Sequence, residues 1–369
     1  MKKTIVVLCG GQSTEHEIAL RSARTVINEL DRSKYRIVAY FVDKAGRFLP
    51  LGEPGLVEKP EDLIVQAECS RLESIQHFLA DMDQIVAQAA PETALSEQLM
   101  IFPVIHGQSG EDGQIQGFLQ MLGLPYVGNG LMASALCMDK SFTNQILTAQ
   151  GIPEAAYLIL ERHEWATSDL THLADRVEKA LGFPCFVKPC NNGSSVGVTK
   201  ADRAHLAAAL EEAFRYDNKI LIEEAIIGHE LEVSVIGNED ARASQPGSYT
   251  SRHEVLDYEA KYWDKSLVEN VPHPLSPEKL AEIQALALRA YHALGCEGLA
   301  RVDIFMDRDG RFLVNEINTL PGMTPTSLAP KLWTALTDMT FSDYLDLLID
   351  YGARSDQGRK AFKNSWERL

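Results

Sequence analysis

The six cysteines of this 369-residue sequence (Cys9, Cys69, Cys137, Cys185, Cys190 and Cys296) include no C-x-x-C pair. That spacing argues against a thiolate zinc site or a redox dithiol, and a disulfide framework is not expected in so long a chain. No apolar run is long enough to cross a bilayer, so no membrane partner is expected. Met1-Lys2-Lys3 followed by Thr4–Cys9 has the charge order of an export signal. Its apolar stretch is too short, and Gly10-Gly11 ends it, so we read it as the first strand of a cytoplasmic protein. Basic residues are few: 35 Lys and Arg against 52 Asp and Glu give a formal net charge of −17. Such a field opposes a phosphate backbone and argues against a nucleic-acid partner, although a local basic site can still hold a nucleotide.

What remains is ordinary for a soluble enzyme, with 45% apolar and 24% charged residues. The length predicts two or three domains. The first third alternates strand and helix: Thr4–Cys9, a helix with Ala19, Ala23, Val26, Ile27 and Leu30 on one face, Arg36–Val42, and Leu99–Ile105. That alternation predicts an α/β unit with a parallel sheet and ligands at the strand C-termini. Glu53–Leu95, broken by Pro54, Pro60 and Pro91, reads as a solvated helical insertion without assigned chemistry. From Gly182 short strands and Gly-containing turns predict an α+β unit. A helix follows Pro277, then a hairpin over Gly298–Ile317, and an amphipathic helix over Phe341–Tyr351 before a polar, frayed tail.

Two Gly-rich loops follow strands. Cys9-Gly10-Gly11-Gln12-Ser13 lacks the G-x-G-x-x-G spacing of a dinucleotide site, and Glu15 and Glu17 occupy the first helical turn. Carboxylates there repel a phosphate but suit an ammonium group; an acidic first turn serving only helix stability explains them equally well. In His106-Gly107-Gln108-Ser109-Gly110-Glu111-Asp112-Gly113, His106 stands at a strand end; capping the helix is an alternative role for Glu111 and Asp112, and the preferred one for Asp112. Further on, a strand ends in Lys188 beside Asn191-Asn192-Gly193-Ser194-Ser195-Val196-Gly197. A lysine next to such a hairpin suits a phosphate cover, though a snorkelling edge lysine is an equal alternative.

The most specific pattern is the hairpin. Arg301 and Asp303 share one strand face, and Glu316 and Asn318 share a face of the return strand, opposite Asn315 and Ile317. With Asp309-Gly310 as a two-residue turn, Arg308 pairs with Arg311, Asp303 with Glu316 and Arg301 with Asn318. Directly opposed residues lie roughly 5 Å apart at Cβ. Two carboxylates and an amide oxygen form a hard, all-oxygen set for Mg²⁺ shared with substrate phosphates. Arg301 with the Gly322 N–H would form an oxyanion hole.

Read together, Gly10–Glu17, the His106–Gly113 loop, Met138-Asp139-Lys140, Phe183–Pro189 with Gly193–Gly197, Tyr258–Tyr262, Arg301-Val302-Asp303, Asn315–Thr319 and Pro321–Thr324 resemble the D-alanine–D-alanine ligases, members of the ATP-grasp superfamily. One departure is Ala19, where members often carry serine. The resemblance implies an ATP-grasp fold of three domains: 1–139, an N-terminal α/β substrate domain; 140–227, a central lid; and 228–369, a C-terminal domain with the metal site. It implies that ATP phosphorylates one D-alanine and that the amine of a second attacks the acyl phosphate, supplying a peptidoglycan precursor. By the family's pattern Glu15 holds the first ammonium group, linked to Ser194 and Tyr262, and Arg301 and Gly322 face the oxyanion. His106, Lys261, Ser327 and Leu328 would meet substrate. Lys140, Lys188 and Ser195 would hold phosphates, and Glu223, Glu224, Ala225, Ile226 and Glu230 the rest of ATP. Asp303, Glu316 and Asn318 would bind two Mg²⁺ ions, or Mn²⁺ in their place. Tyr262 favours an amine over a hydroxy acid as nucleophile, and a homodimer is a family expectation.

Overall fold

A computed structural model describes residues 2–250 and 268–361. In the first sheet β1 (Lys3–Gly10) runs parallel to β2 (Tyr35–Val42) and to β4 (Leu99–Val104), while β3 (Phe48–Gly52) adds an antiparallel edge, in the order β3-β2-β1-β4. Seven of the eight residues of β1 are buried, as expected for a parallel strand covered on both faces. Ile5 and Val7 pack with Ala23 and Val26 of the helix His16–Glu29 and with Tyr344 and Leu348 of the final helix. Val6 and Leu8 point the other way and pack with Phe78 and Met82.

That second contact corrects the reading of Glu53–Leu95 as simply solvated. Its helix, Arg71–Ala87, is largely exposed, but Phe78 and Met82 at i and i+4 form a narrow buried stripe on the sheet. The last helix also runs further than its apolar pattern suggests, over Phe341–Lys360. Buried Ser355 and Asp356 continue its inner face in polar residues, and Arg359 pairs with Glu297.

The second sheet is antiparallel: β5 (Tyr157–Glu161), β6 (Cys185–Pro189), β7 (Thr199–Ala201) and β8 (Lys219–Glu224), in the order β5-β8-β6-β7. Helices Leu170–Ala180 and Leu206–Ala213 supply Leu173, Val177, Leu206 and Leu210 to its core. The third sheet begins with β9 (Gly228–Gly237) and β10 (Arg242–Ala243). A two-stranded ribbon follows, β11 (Ser248–Thr250) with β12 (Val268–Asn270). β13 (Gly298–Asp307) and β14 (Phe312–Asn318) complete the third sheet in the order β10-β9-β13-β14. The helix Pro277–Ala293, capped by Ser276, packs Ile283, Ala287 and Tyr291 beneath it.

Asn129 joins the first and third sheets. Its amide donates to Leu299 O and Thr319 O, and its oxygen accepts from Glu297 N. The segment after Tyr126, which bridges to Ile101 of β4, is thereby fixed against the open end of the β13–β14 hairpin. Among the described residues no helix is long and apolar enough to cross a membrane.

Candidate active site

The site starts from the register of β13 and β14. Arg301 lies opposite Asn318 and Asp303 opposite Glu316. The turn is not the two-residue Asp309-Gly310 loop, however. Asp307 N donates to Arg311 O and Gly310 N to Asp307 O, leaving residues 308–310 as the loop, with Gly310 at φ +75. Asp307 causes this: its carboxylate accepts from the backbone N–H groups of Asp309 and Arg311 and from the Arg311 guanidinium. Arg308 therefore does not pair with Arg311. A bulge between Asp303 and Ile304 absorbs the extra residue, since Ile304 pairs with Val314 and Asp303 with Glu316.

The skipped residue is Asn315, assigned by strand parity to the far face. Its amide instead donates to Glu230 Oε1 at 3.1 Å, and its oxygen accepts from Lys188 Nζ at 3.4 Å. Glu232, which parity on β9 places with Glu230, was also missed; it registers beside Asp303 and lies 3.1 Å from Arg301 Nε. The alternation Glu230, Glu232, Ser234 was the available signal.

Arg301 grips Asp303 through two bonds of 2.7 Å, and Asn318 Nδ2 donates to Asp303 Oδ2 at 3.0 Å. Burial pushes the Asp303 carboxyl above its ordinary range, against the pull of Arg301 and with help from Glu316 and Glu230. Arg301 is driven well upward: burial opposes its charge, but Asp303 and Glu232 outweigh that. Lys140 lies 3.3 Å from Glu316 and donates to Asn192 O. Lys188 lies 2.7 Å from Glu223. Lys188 thus pairs with an acidic group of its own sheet and reaches Asn315 of the third, while Lys140, from the helix Lys140–Ala149, meets Glu316 of the third.

Among the described residues no three His, Cys, Asp or Glu side chains form a cage for a metal ion. Asp303, Glu316 and Asn318 instead make a partial hard-oxygen set, of the kind a divalent cation takes together with other oxygen ligands. The Asn318 N–H₂ bonded to Asp303 leaves its carbonyl oxygen as the remaining donor atom.

The opposite wall comes from the two Gly-rich loops. Ser13 Oγ donates to His106 O at 2.6 Å and accepts from Glu15 N. Ser194 reaches across from the β6–β7 loop and donates to Glu15 Oε1 at 2.5 Å. Ser194 and Ser195 hold left-handed φ of +52 and +57, which turns the loop toward Glu15. His106 is buried with both ring nitrogens used: Nδ1 donates to Leu320 O, and Nε2 accepts from Ser22, which in turn accepts from Met323 N. Its ring thus holds the loop that carries Gly322. Ser327 Oγ accepts from Thr324 N, and buried Leu328 begins the helix Leu328–Thr334.

Glu15, His106, Ser194, Arg301, Gly322 and Ser327 line one cleft of about 290 Å³, with Glu316, Asn318 and Leu328 on its wall. Glu111 also lines it, its carboxyl turned inward to accept from Gly107 N, whereas Asp112 caps the turn at Ser109 and Gln114 as expected. The Glu224 carboxylate accepts from Ala156 N. Ala225 and Ile226 are half-buried in the link from β8 to β9, beside Glu223. Lys261 and Tyr262 lie outside the described residues.

The mixed first sheet and the two antiparallel sheets, with lysines and carboxylates facing each other between them, define an ATP-grasp enzyme. The family descriptions "D-ala D-ala ligase N-terminus" and "D-ala D-ala ligase C-terminus" match residues 4–129 and 146–350. The chain belongs to the D-alanine–D-alanine ligase family. It is 43% identical over 359 residues to the D-alanine–D-alanine ligase of Thermoanaerobacter sp. (strain X514), covering 96% of this chain and 97% of that one. The enzyme of that name from Geobacillus thermodenitrificans is 37% identical across both full lengths. Among solved structures, the D-alanine–D-alanine ligase of Coxiella burnetii aligns with a TM-score of 0.76 at 32% identity, covering 97% and 96% of the two chains. VanG D-Ala:D-Ser ligase of Enterococcus faecalis aligns with a TM-score of 0.75 at 28% identity, covering 95% and 100%.

Proposed function

We propose that this enzyme joins two D-alanines at the expense of ATP, through a D-alanyl phosphate, to supply a peptidoglycan precursor. One observation carries the reading: a single cleft presents a carboxylate, Glu15, and an arginine, Arg301, beside a carboxylate–amide face. A free amino acid needs both ends recognised, and its carboxylate must lie near the phosphates.

The first D-alanine rests its ammonium on Glu15, which Ser194 orients. Its carboxylate lies toward Arg301 and the Gly322 N–H. Lys140 and Lys188 exchange Glu316 and Glu223 for ATP phosphates, Ser195 adds a donor, and Glu223, Glu224, Ala225, Ile226 and Glu230 hold the nucleoside end. Mg²⁺ or Mn²⁺, held by Asp303, Glu316 and Asn318 together with the phosphates, supplies charge neutralisation during transfer. The carboxylate oxygen attacks the γ-phosphorus and ADP leaves. The amine of the second D-alanine, its carboxylate near Ser327 and Leu328, then attacks the acyl carbon, and Arg301 with Gly322 N–H stabilises the oxyanion until phosphate departs. His106 acts here by positioning residues 320–323. Lys261 and Tyr262 are assigned by resemblance to the segment covering the second substrate.

The same reading assigns three units, 1–139, 140–227 and 228–369, with ATP between the last two, and a homodimer in the cytoplasm. Its test is phosphate release from ATP and Mg²⁺ with D-alanine alone, and with D-serine, L-alanine or D-lactate added. D-alanine alone should suffice. Release that requires D-serine would move the enzyme toward the D-Ala:D-Ser ligation for which VanG is named, and no D-alanine-dependent release would remove the reading.

A further inference from the structure

We propose that Glu111 is a second carboxyl of the ammonium subsite, so that Glu15 and Glu111 together recognise the cationic end of the first amino acid. This rests on the ligase reading and on the placement of Gly107 between the two carboxyls. A side-chain carbon at Gly107 would lie 2.6 Å from Glu15 Oε2, while Gly107 N donates to Glu111 Oε2 at 3.0 Å. The two carboxyls therefore flank one glycine, whose φ of +70 and crowded α-carbon exclude a larger residue. Both line the cleft that also holds Arg301.

An amino-acid ammonium carries three N–H donors. A single carboxylate cannot face all three at once, and Glu15 Oε1 already accepts from the Ser194 hydroxyl. Glu111 Oε1 supplies another: its nearest described cationic or potentially cationic neighbour is His106 Nδ1 at 3.9 Å, and that N–H is directed to Leu320 O. The Glu111 side chain is 14% exposed. Burial pushes its carboxyl well above the usual range and Glu15 adds to the push, while Gly107 N–H and Arg301 oppose it and Glu316 reinforces it. Among the described residues, Glu15 before the first helix, His106 after β4, Arg301 on β13 and Glu316 on β14 are the charged and titratable groups that act on it. Without a cation beside it, burial and the charge of Glu15 thus favour the protonated form of Glu111. An ammonium placed between the carboxyls removes the penalty that Glu15 imposes, and Glu111 ionises. Binding of the first substrate releases a proton, and a hydroxy acid, which brings no cation, is rejected at this position.

The test pairs calorimetry with kinetics on the full-length protein. D-alanine is titrated into protein with ADP and Mg²⁺ in buffers of differing ionisation enthalpy near neutral pH. Wild type should release a substantial part of one proton. Glu111→Gln keeps the oxygen that accepts from Gly107 N and keeps the shape; it should release none. Its first-substrate KM should rise about tenfold or more, with kcat at saturation little changed. Glu111→Asp, which restores the charge, should recover part of both. Undiminished proton release in Glu111→Gln, or a first-substrate KM within about twofold of wild type where one charge-assisted bond predicts tenfold, overturns the assignment. A wild type that neither binds D-alanine nor releases phosphate in its presence overturns the ligase reading and this assignment with it.

Discussion

Lys188 Nζ sits 2.7 Å from Glu223 Oε2, and both side chains are almost fully enclosed. Burial alone would lower the affinity of Lys188 for its proton; Glu223, with Glu316 and Glu230 behind it, raises it above the ordinary value instead. A group raised in this way contributes stability at all pH values below about 10.4, the unfolded value, and loses it only as pH climbs through the folded one. The pair is therefore intact throughout the working range. Lys188→Met strands Glu223 and should cost roughly 3 kcal/mol. Denaturant melts would show this in the nucleotide-free protein, and the KM for ATP should rise as well. A Lys188→Met protein of wild-type stability would mean that Glu223 finds another partner or solvent.

Arg301 serves both the empty protein and the proposed reaction. Arg301→Ala should lower kcat by about 10²–10³, the usual loss for an oxyanion donor. It also leaves Asp303, fully buried, with only the Asn318 amide among the described residues. The structural part is separated by Arg301→Ala/Asp303→Asn, in which the stranded Asp303 charge is gone and the ion pair with Glu232 remains lost. The double variant should regain most of the lost stability and none of the lost turnover. Recovery of turnover alongside stability would remove Arg301 from the oxyanion role.

Much of this site was legible because strand geometry has a period of two. Parity alone brought Arg301, Asp303, Glu316 and Asn318 to one face. The turn was misread because Asp307 folds its own carboxylate over the loop, a side-chain-to-backbone preference that outweighs the Asp-Gly signal. The bulge that restores register also turns Asn315 inward, and no local residue pattern announces a bulge. Glu111 escaped for a different reason: next to Asp112 it looked like a capping residue, and only the fold separates the one that caps from the one that enters the cleft. Phe78 and Met82 show the same limit, since a two-residue stripe in an acidic segment acquires meaning only with a sheet beneath it.

His106 couples the site to pH. Burial holds its imidazole below the ordinary value, against the charge of Glu15 and its bond to Leu320 O. Between that lowered value and about 6.5 the unfolded chain binds the extra proton and the folded one does not. Its contribution to stability is thus present above about pH 6.5 and declines as pH falls through the folded value. His106→Ala should flatten the fall in melting temperature below about pH 6.5 relative to wild type. It should also raise the KM for D-alanine, because Leu320 O and Ser22 lose the ring that joins them. Parallel melting curves for the two proteins across that window would exclude His106 as the source of the dependence.

Glu316 lies 3.3 Å from Lys140 with about a quarter of its side chain exposed, so this pair contributes little to the empty protein. A partly exposed ion pair is worth about 1 kcal/mol or less. If Glu316 instead serves as a magnesium ligand, its removal shows in metal dependence before it shows in stability. Glu316→Gln keeps the side-chain volume and removes one of the two carboxylates opposed across β13 and β14. The metal-free variant should melt close to wild type. Its phosphate release should require about 10–100-fold more Mg²⁺ for half-maximal rate, at least the loss seen when a supporting group of a metal site is removed. Asp303→Asn should share the metal effect and differ in stability, because it takes the bidentate partner from buried Arg301. A Glu316→Gln enzyme with an unchanged Mg²⁺ requirement would take the carboxylate out of the metal set and leave it as the counter-ion of Lys140.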